Sequence, residues 1–162
     1  PSVRYLGHVV GSGRHSPDTE RVNAILNLKP PKSKTEVRSA LGLFNYYRDY
    51  IPHYSELVLP LTSLTNKRVP NKIPWSKEAD QAFHKVKNAL AAVPTLAAPD
   101  PEKGYILTTD ASERAVGACL SQMTDDKDTP IAFLSKKLTP TQSRWSTIER
   151  EAYAVVWALG RL

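Results

Sequence analysis

The sequence predicts an α+β fold, because helical and strand patterns occupy separate parts of the chain. Helix signals dominate residues 17–93, where apolar residues recur at helical spacing behind N-cap residues. Strand-like runs follow at 105–112, 115–123 and 129–138, separated by turn-forming or charged residues. A last helical pattern begins at residue 147 and continues to the chain end. We therefore expect a helical unit, then two β-hairpins with one helix packed on their sheet.

Composition indicates an ordinary water-soluble globular protein. The chain has 162 residues, of which 41% are hydrophobic and 23% are charged. No apolar run approaches the roughly 20 residues that cross a bilayer, and no segment has the pattern of a signal peptide. Cys119 is the single cysteine, which excludes an internal disulfide and fits a reducing intracellular setting.

The net charge of +6 lies in the first half of the chain. Residues 1–75 hold 11 Lys and Arg against 5 Asp and Glu, whereas residues 76–162 hold 11 of each kind. A basic half joined to a neutral half favours contact with a polyanion, and nucleic acid is the polyanion that most often fits. A solvated basic surface is the alternative that charge alone leaves open.

The first elements follow from local start and stop signals. Residues 3–10, VRYLGHVV, predict a strand that leads into a glycine-rich turn. Ser16 as N-cap and Pro17 at the first helical position predict a short helix. Ser33 and Glu36 form a capping box, which predicts a second helix over 34–51 that ends before a proline.

Three further segments complete the helical half. Residues 55–67 predict a shorter helical stretch that is interrupted near Pro60. The proline-spaced basic segment 66–75 is the candidate linker. Ser76 then caps a helix over 77–93 that ends at Pro94.

The second predicted helix has two distinct faces. One is an apolar stripe that comprises Val37, Ala40, Leu41, Phe44, Tyr47 and Ile51. The other is a polar face that comprises Arg38, Gly42, Asn45 and Asp49. A glycine inside a helix costs about 1 kcal/mol relative to alanine, so Gly42 marks a place where another group approaches closely. That group is either a neighbouring helix or a duplex groove, with Arg38, Asn45 and Tyr46 reaching sugars, bases or phosphates.

The last helix begins at a capping box formed by Ser146 and Glu149. Helical spacing predicts a buried stripe of Ile148, Ala152, Val155, Val156 and Leu159. Tyr153 and Trp157 fall on the opposite face, where we expect them to lack partners.

Two glutamates, Glu149 and Glu151, flank the predicted stripe at nearly equal angles, so periodicity does not choose between them. Either could point toward Asp110, which ends a strand that we expect to be buried. A buried carboxylate is costly unless a cation meets it, and two carboxylates would begin a hard-cation site. The alternatives are a strand-end turn for Asp110 and ordinary surface positions for the glutamates.

Six segments in collinear order carry a family resemblance that covers essentially the whole chain. They are RYLGHVV, RSALGLFNYYRDYIPHYSELVLPLTSL, PWSKEADQAFHKVKNAL, TLAAPDPEKGYILTTDASERAVGACLSQ, PIAFLSKKLT and WSTIEREAYAVVWAL. Together they resemble the reverse transcriptase part of gypsy-type (Metaviridae) LTR retrotransposon Pol polyproteins. The parent enzyme would be an RNA-directed DNA polymerase that also degrades the RNA of RNA–DNA hybrids.

The resemblance implies a nucleic-acid-binding first half. Residues 1–16 resemble the end of the palm with its primer-grip hairpin, where Leu6, Gly7 and His8 would hold the primer strand. A packing role is the alternative for His8. Residues 17–75 resemble the thumb, and its nucleic-acid face would carry Arg38, Gly42, Asn45 and Tyr46.

The second half resembles the amino-terminal part of an RNase H-like domain. Residues 76–100 would form a tether helix and connector, and residues 101–162 a truncated mixed sheet of three strands with one helix. The family pattern makes Asp110 the first metal ligand and selects Glu151 over Glu149 as the second. Two Mg²⁺ ions held by such carboxylates clamp the attacking water and the leaving oxygen of a phosphodiester.

Other family motifs would lie outside residues 1–162. These are the two later RNase H ligands, the fourth strand and the polymerase aspartates, whereas TDDKD at 124–128 predicts a solvated hairpin loop. We therefore expect an exposed edge on strand 105–110, weak salt-sensitive binding of duplex, and no catalysis by the isolated chain.

The implied partners are an RNA–DNA hybrid or DNA duplex, the palm and fingers upstream, and the remaining RNase H and integrase segments downstream. We expect no membrane partner, and localisation in a cytoplasmic particle or the nucleus. The alternative hypothesis is a host-retained, non-enzymatic module that binds nucleic acid or protein.

Overall fold

The first sheet has four antiparallel strands in the order β1-β2-β3-β4. A computed structural model describes residues 1–92 and 94–162. The strands are β1 (Ser2–Tyr5), β2 (His8–Gly11), β3 (Arg14–Pro17) and β4 (Leu96–Ala97). Strand β4 belongs to the predicted connector and pairs with β3. The sheet therefore joins the beginning and the end of the helical half.

Residues 3–10 form a hairpin, and the prediction of one continuous strand is wrong. Leu6 and Gly7 have positive φ angles of 47° and 82°, the backbone of a two-residue turn that matches strand twist. A Cβ at Gly7 would lie 3.1 Å from the Tyr47 hydroxyl oxygen, so the close approach also favours glycine.

The first helix begins two residues later than predicted. Ser16 pairs with Val9 and Pro17 with His8 in the β2–β3 ladder, so neither caps a helix. The N-cap is Asp18, whose carboxylate accepts a hydrogen bond from the Glu20 amide at 3.1 Å. The Ser-Pro pair is a local signal for a helix start, but pairing with β2 satisfies the backbone hydrogen-bonding groups of this segment. The strand is therefore favoured over an earlier helix start.

The helical unit contains five α-helices and one 3₁₀ turn among the described residues. They are α1 (Thr19–Leu26), α2 (Lys34–Tyr46), the turn Arg48–Tyr50, α3 (Tyr54–Leu57), α4 (Leu59–Ser63) and α5 (Lys77–Ala91). The apolar stripe predicted on α2 is confirmed, since five of its residues are buried and Leu41 is half-buried. The helix ends at Tyr46, and the rest of the predicted span continues as the 3₁₀ turn.

The N-caps at Ser33 and Ser76 are confirmed, but the capping box predicted at Ser33 is incomplete, because the Glu36 carboxylate accepts from the Lys32 amide instead of the Ser33 amide. Each hydroxyl accepts from the backbone three residues on, at 3.2 Å and 3.1 Å. Helix α5 is described as far as Ala91, and Val93, where the prediction ended, lies outside the described residues. The ring centroids of Phe44 and Phe83 lie 5.8 Å apart, so α5 shares one core with α2.

The segment 66–75 is part of the helical core, and its prediction as a linker is wrong. Ile73 is only 8% exposed, and the Trp75 indole donates to the Asp80 carboxylate at 3.0 Å. Lys72 also bridges to Ser33 at the start of α2. Two apolar anchors within a proline-spaced segment are enough to hold it against the helices.

The second sheet has three antiparallel strands, β5 (Ile106–Ala111), β6 (Ala115–Thr124) and β7 (Lys127–Lys137), in that order. The two predicted hairpins are confirmed, with an irregularity at Leu120/Ser121. The expected mixed sheet is wrong for the described residues, because every pairing is antiparallel. Strand β5 lies at the edge, as expected, and half of its side chains are exposed.

The last two helices are α6 (Pro140–Ser143) and α7 (Thr147–Arg161), and the capping box at Ser146 is confirmed. The stripe predicted to be buried on α7 faces outward, with Ile148 81% and Val156 70% exposed. Ala154 and Ala158 are fully buried instead. Small side chains let the helix approach the sheet closely, so packing favours the alanine face over the β-branched one.

Tyr153 and Trp157 have partners, contrary to expectation. Both pack against the small core of Val116 and Leu138 under α7. The Tyr153 hydroxyl also accepts a hydrogen bond from Lys136 at 2.7 Å. This bond lowers the pKa of the tyrosine, because the neighbouring ammonium stabilises the phenolate.

Strand β7 fixes the second sheet against the helical unit. Arg48 Nη2 donates to the Ser135 carbonyl oxygen at 2.7 Å, and the Ser55 amide donates to Ser135 Oγ at 2.9 Å. Phe133 on the same strand packs against the helical core. None of the helices in residues 1–92 and 94–162 has the length and apolar character to cross a membrane.

Candidate nucleic-acid interface

The β1–β2 turn and the end of α2 meet, although they are 40 residues apart in sequence. The Tyr47 hydroxyl donates to the Gly7 carbonyl oxygen at 2.9 Å, and the Tyr46 hydroxyl donates to the Leu6 carbonyl oxygen. The two groups of residues predicted to contact nucleic acid therefore adjoin each other in one surface, in which Gly7 itself is buried. We call this surface, formed by Leu6, Gly7, His8, Arg38, Gly42, Asn45 and Tyr46, the hairpin–α2 face.

The α2 part of the face is open. Within residues 1–92 and 94–162, a Cβ added at Gly42 would have no atom of another element within 4 Å, so none of the described helices packs there. Of the two groups weighed for Gly42, a neighbouring helix is therefore not found among the described residues. Arg38 and Asn45 are exposed beside it, and Arg38 Nη2 reaches the Thr65 carbonyl oxygen at 3.4 Å. Gly42 leaves free space on α2 between the guanidinium of Arg38 and the amide of Asn45. A duplex backbone could approach the helix in this space and contact both side chains.

The hairpin part of the face is aromatic. Leu6 is 65% and Tyr46 48% exposed, and the two residues are neighbours because the Tyr46 hydroxyl donates to the Leu6 carbonyl oxygen. The His8 ring stacks between Tyr46, at 5.3 Å, and Tyr50, at 5.7 Å, measured between ring centroids. Exposed flat rings are the groups on which nucleic-acid bases and sugars stack.

His8 also belongs to a hydrogen-bonded network, so the packing role weighed for it is present. The Tyr50 hydroxyl lies 2.8 Å from Nδ1 of both His8 and His15. A hydroxyl has one proton to donate, so at most one imidazole accepts it and at least one imidazole donates its own Nδ1 proton. Burial raises the pKa of Tyr50, which keeps the hydroxyl protonated.

Burial lowers the pKa of both histidines below the ordinary value of 6.5. For His8 the neighbouring His15 lowers it further, while Asp49 opposes the shift for both rings. Both rings are therefore neutral near pH 7. Any phosphate contact of His8 would be a hydrogen bond from a neutral ring, and the fixed positive charge of the hairpin–α2 face comes from Arg38.

A cavity of about 590 Å³ adjoins this cluster, and sequence reasoning missed several of its residues. Its lining includes Tyr5, Arg14, His15 and Tyr50. In the β2–β3 ladder Val10 pairs with His15, and side chains alternate, so His8 and His15 share one face of the sheet. A prediction of the β2–β3 hairpin from the sequence would therefore have placed His8 and His15 next to each other.

The side chain of Asp110 does not face α7, the helix that carries Glu151. Asp110 is exposed, and the expectation of a buried carboxylate is wrong, because β5 is an edge strand. Ala111 packs with the core under α7, so alternation turns Asp110 to the other face. There it lines a cavity of about 100 Å³ with His53, opposite Gly117 in the ladder.

Glu149 and Glu151 differ in their local bonding. The Glu149 carboxylate accepts from the Ser146 amide at 2.7 Å, and this hydrogen bond lowers its pKa. Glu151 is exposed and has no hydrogen bond or ion pair with the described part of the chain. Of the two candidates, Glu151 is therefore the carboxylate that is free to take a ligand.

The donor set does not fit a divalent ion as it stands. Within residues 1–92 and 94–162, no group of three or more His, Cys, Asp or Glu is placed to hold a metal. Asp110 points away from the helix that carries Glu151, and Mg²⁺ requires several oxygen ligands in near-ideal geometry. A site shared by these two carboxylates stays a prediction. Asp125 and Asp126 occupy the exposed β6–β7 turn with φ angles of 50° and 58°.

The second half of the chain matches a known family. A family model described as "RNase H-like domain found in reverse transcriptase" matches residues 75–162, more than half of the chain. The chain is 37% identical over 169 residues to the retrovirus-related Pol polyprotein from transposon opus of Drosophila melanogaster. It is 41% identical over 157 residues to that from transposon 297 of the same organism, and 36% identical over 158 residues to the transposon Tf2-3 polyprotein of Schizosaccharomyces pombe.

These alignments cover 99%, 96% and 97% of this chain, but only 17%, 14% and 12% of the relatives. The chain therefore spans less than a fifth of the length of each of these polyproteins. Its relatives are LTR retrotransposon Pol polyproteins.

Solved structures extend the similarity to the helical half. A foamy viral protease-reverse transcriptase dRH in complex with ds DNA superposes with a TM-score of 0.86 at 26% identity, and covers 99% of this chain and 28% of its own. The foamy viral protease-reverse transcriptase in complex with RNA/DNA hybrid gives the same TM-score, identity and coverage of this chain, and 22% of its own. The chain belongs to the family of RNase H-like domains found in reverse transcriptases.

Proposed function

We propose that this chain is the template–primer-gripping segment of a gypsy-type LTR retrotransposon reverse transcriptase. The observation that carries the proposal is the hairpin–α2 face, where residues that are far apart in sequence form one open, aromatic and cationic surface. The solved relatives whose titles name complexes with ds DNA or RNA/DNA hybrid support it. In the parent polyprotein the segment would follow the palm and fingers and precede the remaining RNase H and integrase parts.

Each part of the face has a chemical role in this proposal. Arg38 neutralises a backbone phosphate, and Gly42 lets the duplex approach the helix backbone. Tyr46 and Leu6 cover a sugar or base with their exposed apolar surface. Gly7 and His8 hold the turn against α2, so that the primer strand meets a rigid edge.

The RNase H-like half has a different role. We propose that Asp110 and Glu151 are two of the four metal-ligand carboxylates of the parent RNase H domain. The absence of a three-ligand group among the described residues leads us to expect no catalysis by the chain alone. An incubation with an RNA–DNA hybrid and Mg²⁺ tests this expectation. Efficient cleavage that is lost in Asp110→Asn would contradict it.

Binding across a salt series tests the gripping role. We expect Arg38→Gln to weaken affinity for an RNA–DNA hybrid and to reduce the slope of log affinity against log salt by about one. We expect Tyr46→Ala to weaken affinity without changing the slope, because it removes stacking rather than charge. Arg114→Gln and Tyr105→Ala are matched controls, since both residues are exposed outside the hairpin–α2 face. Equal losses in variants and controls would refute the proposal.

A host-retained, non-enzymatic binding module is the second candidate function. The observation that favours it is the placement of Asp110 on the sheet face away from α7. The transcript that encodes the chain distinguishes the two candidates. Palm and integrase segments in the same reading frame support the polyprotein, whereas stop codons at both ends support the separate module.

A further inference from the structure

A second basic surface lies where the helical unit, β7 and α7 meet. It is a cleft of about 670 Å³ whose lining includes Arg48, Ser135, Lys136, Lys137, Trp157 and Arg161. None of the described residues that line it is acidic. The four cations come from three separate elements, so the fold, rather than the spacing of one helix, brings them together.

The cations of this cleft are not neutralised within the protein. The ion pairs of the described residues involve Arg4, His84 and Lys103, and none of the four cleft cations. Like charges gathered in one cleft repel each other and raise the local positive potential. Such a cluster is stabilised when a polyanion enters, because the ligand replaces repulsion with attraction.

Arg48 is held in place for a ligand. Its Nη2 donates to Ser55 Oγ at 3.0 Å and to the Ser135 carbonyl oxygen at 2.7 Å. The guanidinium also lies 5.4 Å from the centre of the Tyr54 ring. These bonds use a single nitrogen, so the donors on Nη1 and Nε remain for an anionic oxygen. Fixing the guanidinium in advance reduces the entropy lost on binding.

The other groups complete a lining that suits a nucleic-acid strand. Lys136 is oriented by its bond to the Tyr153 hydroxyl at 2.7 Å. Lys137 and Arg161 are exposed, and their side chains make no hydrogen bond with the described part of the chain. Trp157, half-buried in the wall, provides an apolar surface for a sugar or base. Phosphate, sugar and base chemistry are thus all met within one cleft.

We propose that this cleft binds the sugar–phosphate backbone of a nucleic-acid strand, as a second contact separate from the hairpin–α2 face. Arg48 follows α2 by two residues, so the cleft begins where the helix that carries that face ends. A nucleic-acid strand that runs along α2 and passes its end would therefore contact the cations of the cleft next. The inference rests on the proposed nucleic-acid function and adds a second point of attachment, on the RNase H-like half.

The test uses the 162-residue chain, a fluorescent RNA–DNA hybrid and a salt series. The cleft variant is Lys137→Gln with Arg161→Gln, and its control, Lys85→Gln with Lys127→Gln, removes two positive charges at exposed positions outside the cleft. We expect the cleft variant to lose about tenfold in affinity at moderate salt and about two from the salt slope. We expect the control to stay within about twofold of wild type.

The outcomes separate this inference from the proposed function. If the cleft variant matches its control while Arg38→Gln weakens binding, the cleft is not a contact and the hairpin–α2 face stands. If wild type shows no salt-dependent binding of the hybrid, the proposed function fails and the inference falls with it. If polyglutamate binds wild type more tightly than the hybrid does, and the cleft variant loses that binding, the partner is an acidic protein segment and the inference is overturned.

Discussion

The hairpin–α2 face and the β5–α7 region show opposite relations between sequence pattern and structure. On α2 one stripe is apolar and the opposite face is polar, so the pattern assigns both the core and the exposed side. On α7 two faces are apolar, and the smaller residues pack against the sheet. A helical pattern predicts burial when one face is apolar, and fails when two apolar faces compete.

Core truncation should show the largest difference between the two helices. Phe44 is fully buried on α2 and Val156 is 70% exposed on α7, although both belong to predicted stripes. We expect Phe44→Ala to lower the free energy of unfolding by about 3–5 kcal/mol through the cavity it leaves. Val156→Ala should change it by less than about 0.5 kcal/mol. Urea unfolding measures both values. A large loss of stability in Val156→Ala would show that the predicted stripe of α7 is buried after all.

Overpacking tests the observed face of α7 directly. Ala154 is fully buried against the sheet, and a larger side chain there must push the helix away. We expect Ala154→Leu to lower the free energy of unfolding by about 1–3 kcal/mol. Ala152→Leu, at an exposed position of the same helix, should be within about 0.5 kcal/mol of wild type. A reversed order in urea unfolding would show that α7 turns its other face to the sheet.

The histidine network predicts a smaller, pH-dependent effect near the hairpin. Burial lowers the pKa of His8 and His15, so the unfolded chain takes up their protons at a higher pH than the folded protein. Their contribution to stability is complete above about pH 6.5 and is lost as the pH falls through the lowered pKa values. We expect the melting temperature to fall between pH 7 and pH 5.

The control for that melt is the exposed His84. His15→Gln should flatten the pH dependence, whereas His84→Gln should leave the fall in place. If both variants reduced the pH dependence of the melting temperature equally, the histidine network would not be the cause of that dependence.

Much of the fold followed from local signals, and the rest depended on contacts between distant residues. The caps at Ser33, Ser76 and Ser146 act within one helical turn, so the sequence contains the whole signal. Strands β3 and β4 have four and two residues, and such short strands exist only through pairing with their neighbours, so they did not have such a signal. The linker prediction failed for the same reason, since Ile73 is anchored by helices far away in sequence.

The candidate site shows the same division. Helical spacing identified Arg38, Gly42 and Asn45 as one face, and the structure leaves that face open. Spacing could not place Asp110 relative to Glu151, because side-chain direction along β5 depends on strand register. The hydrogen bond from the Ser146 amide to the Glu149 carboxylate distinguishes Glu149 from Glu151. This bond is a feature of the folded helix cap, and helical spacing does not show it.

The binding of an RNA–DNA hybrid by Gly42→Leu tests the central claim most directly. Space around Gly42 is free, and leucine favours a helix by nearly 1 kcal/mol over glycine, so the variant should unfold at a slightly higher urea concentration. A duplex that lies on this face would meet the added side chain, and we expect hybrid affinity to fall at least about tenfold. Ala24→Leu, exposed on α1, should bind like wild type. Unchanged affinity in a stably folded Gly42→Leu would contradict the account.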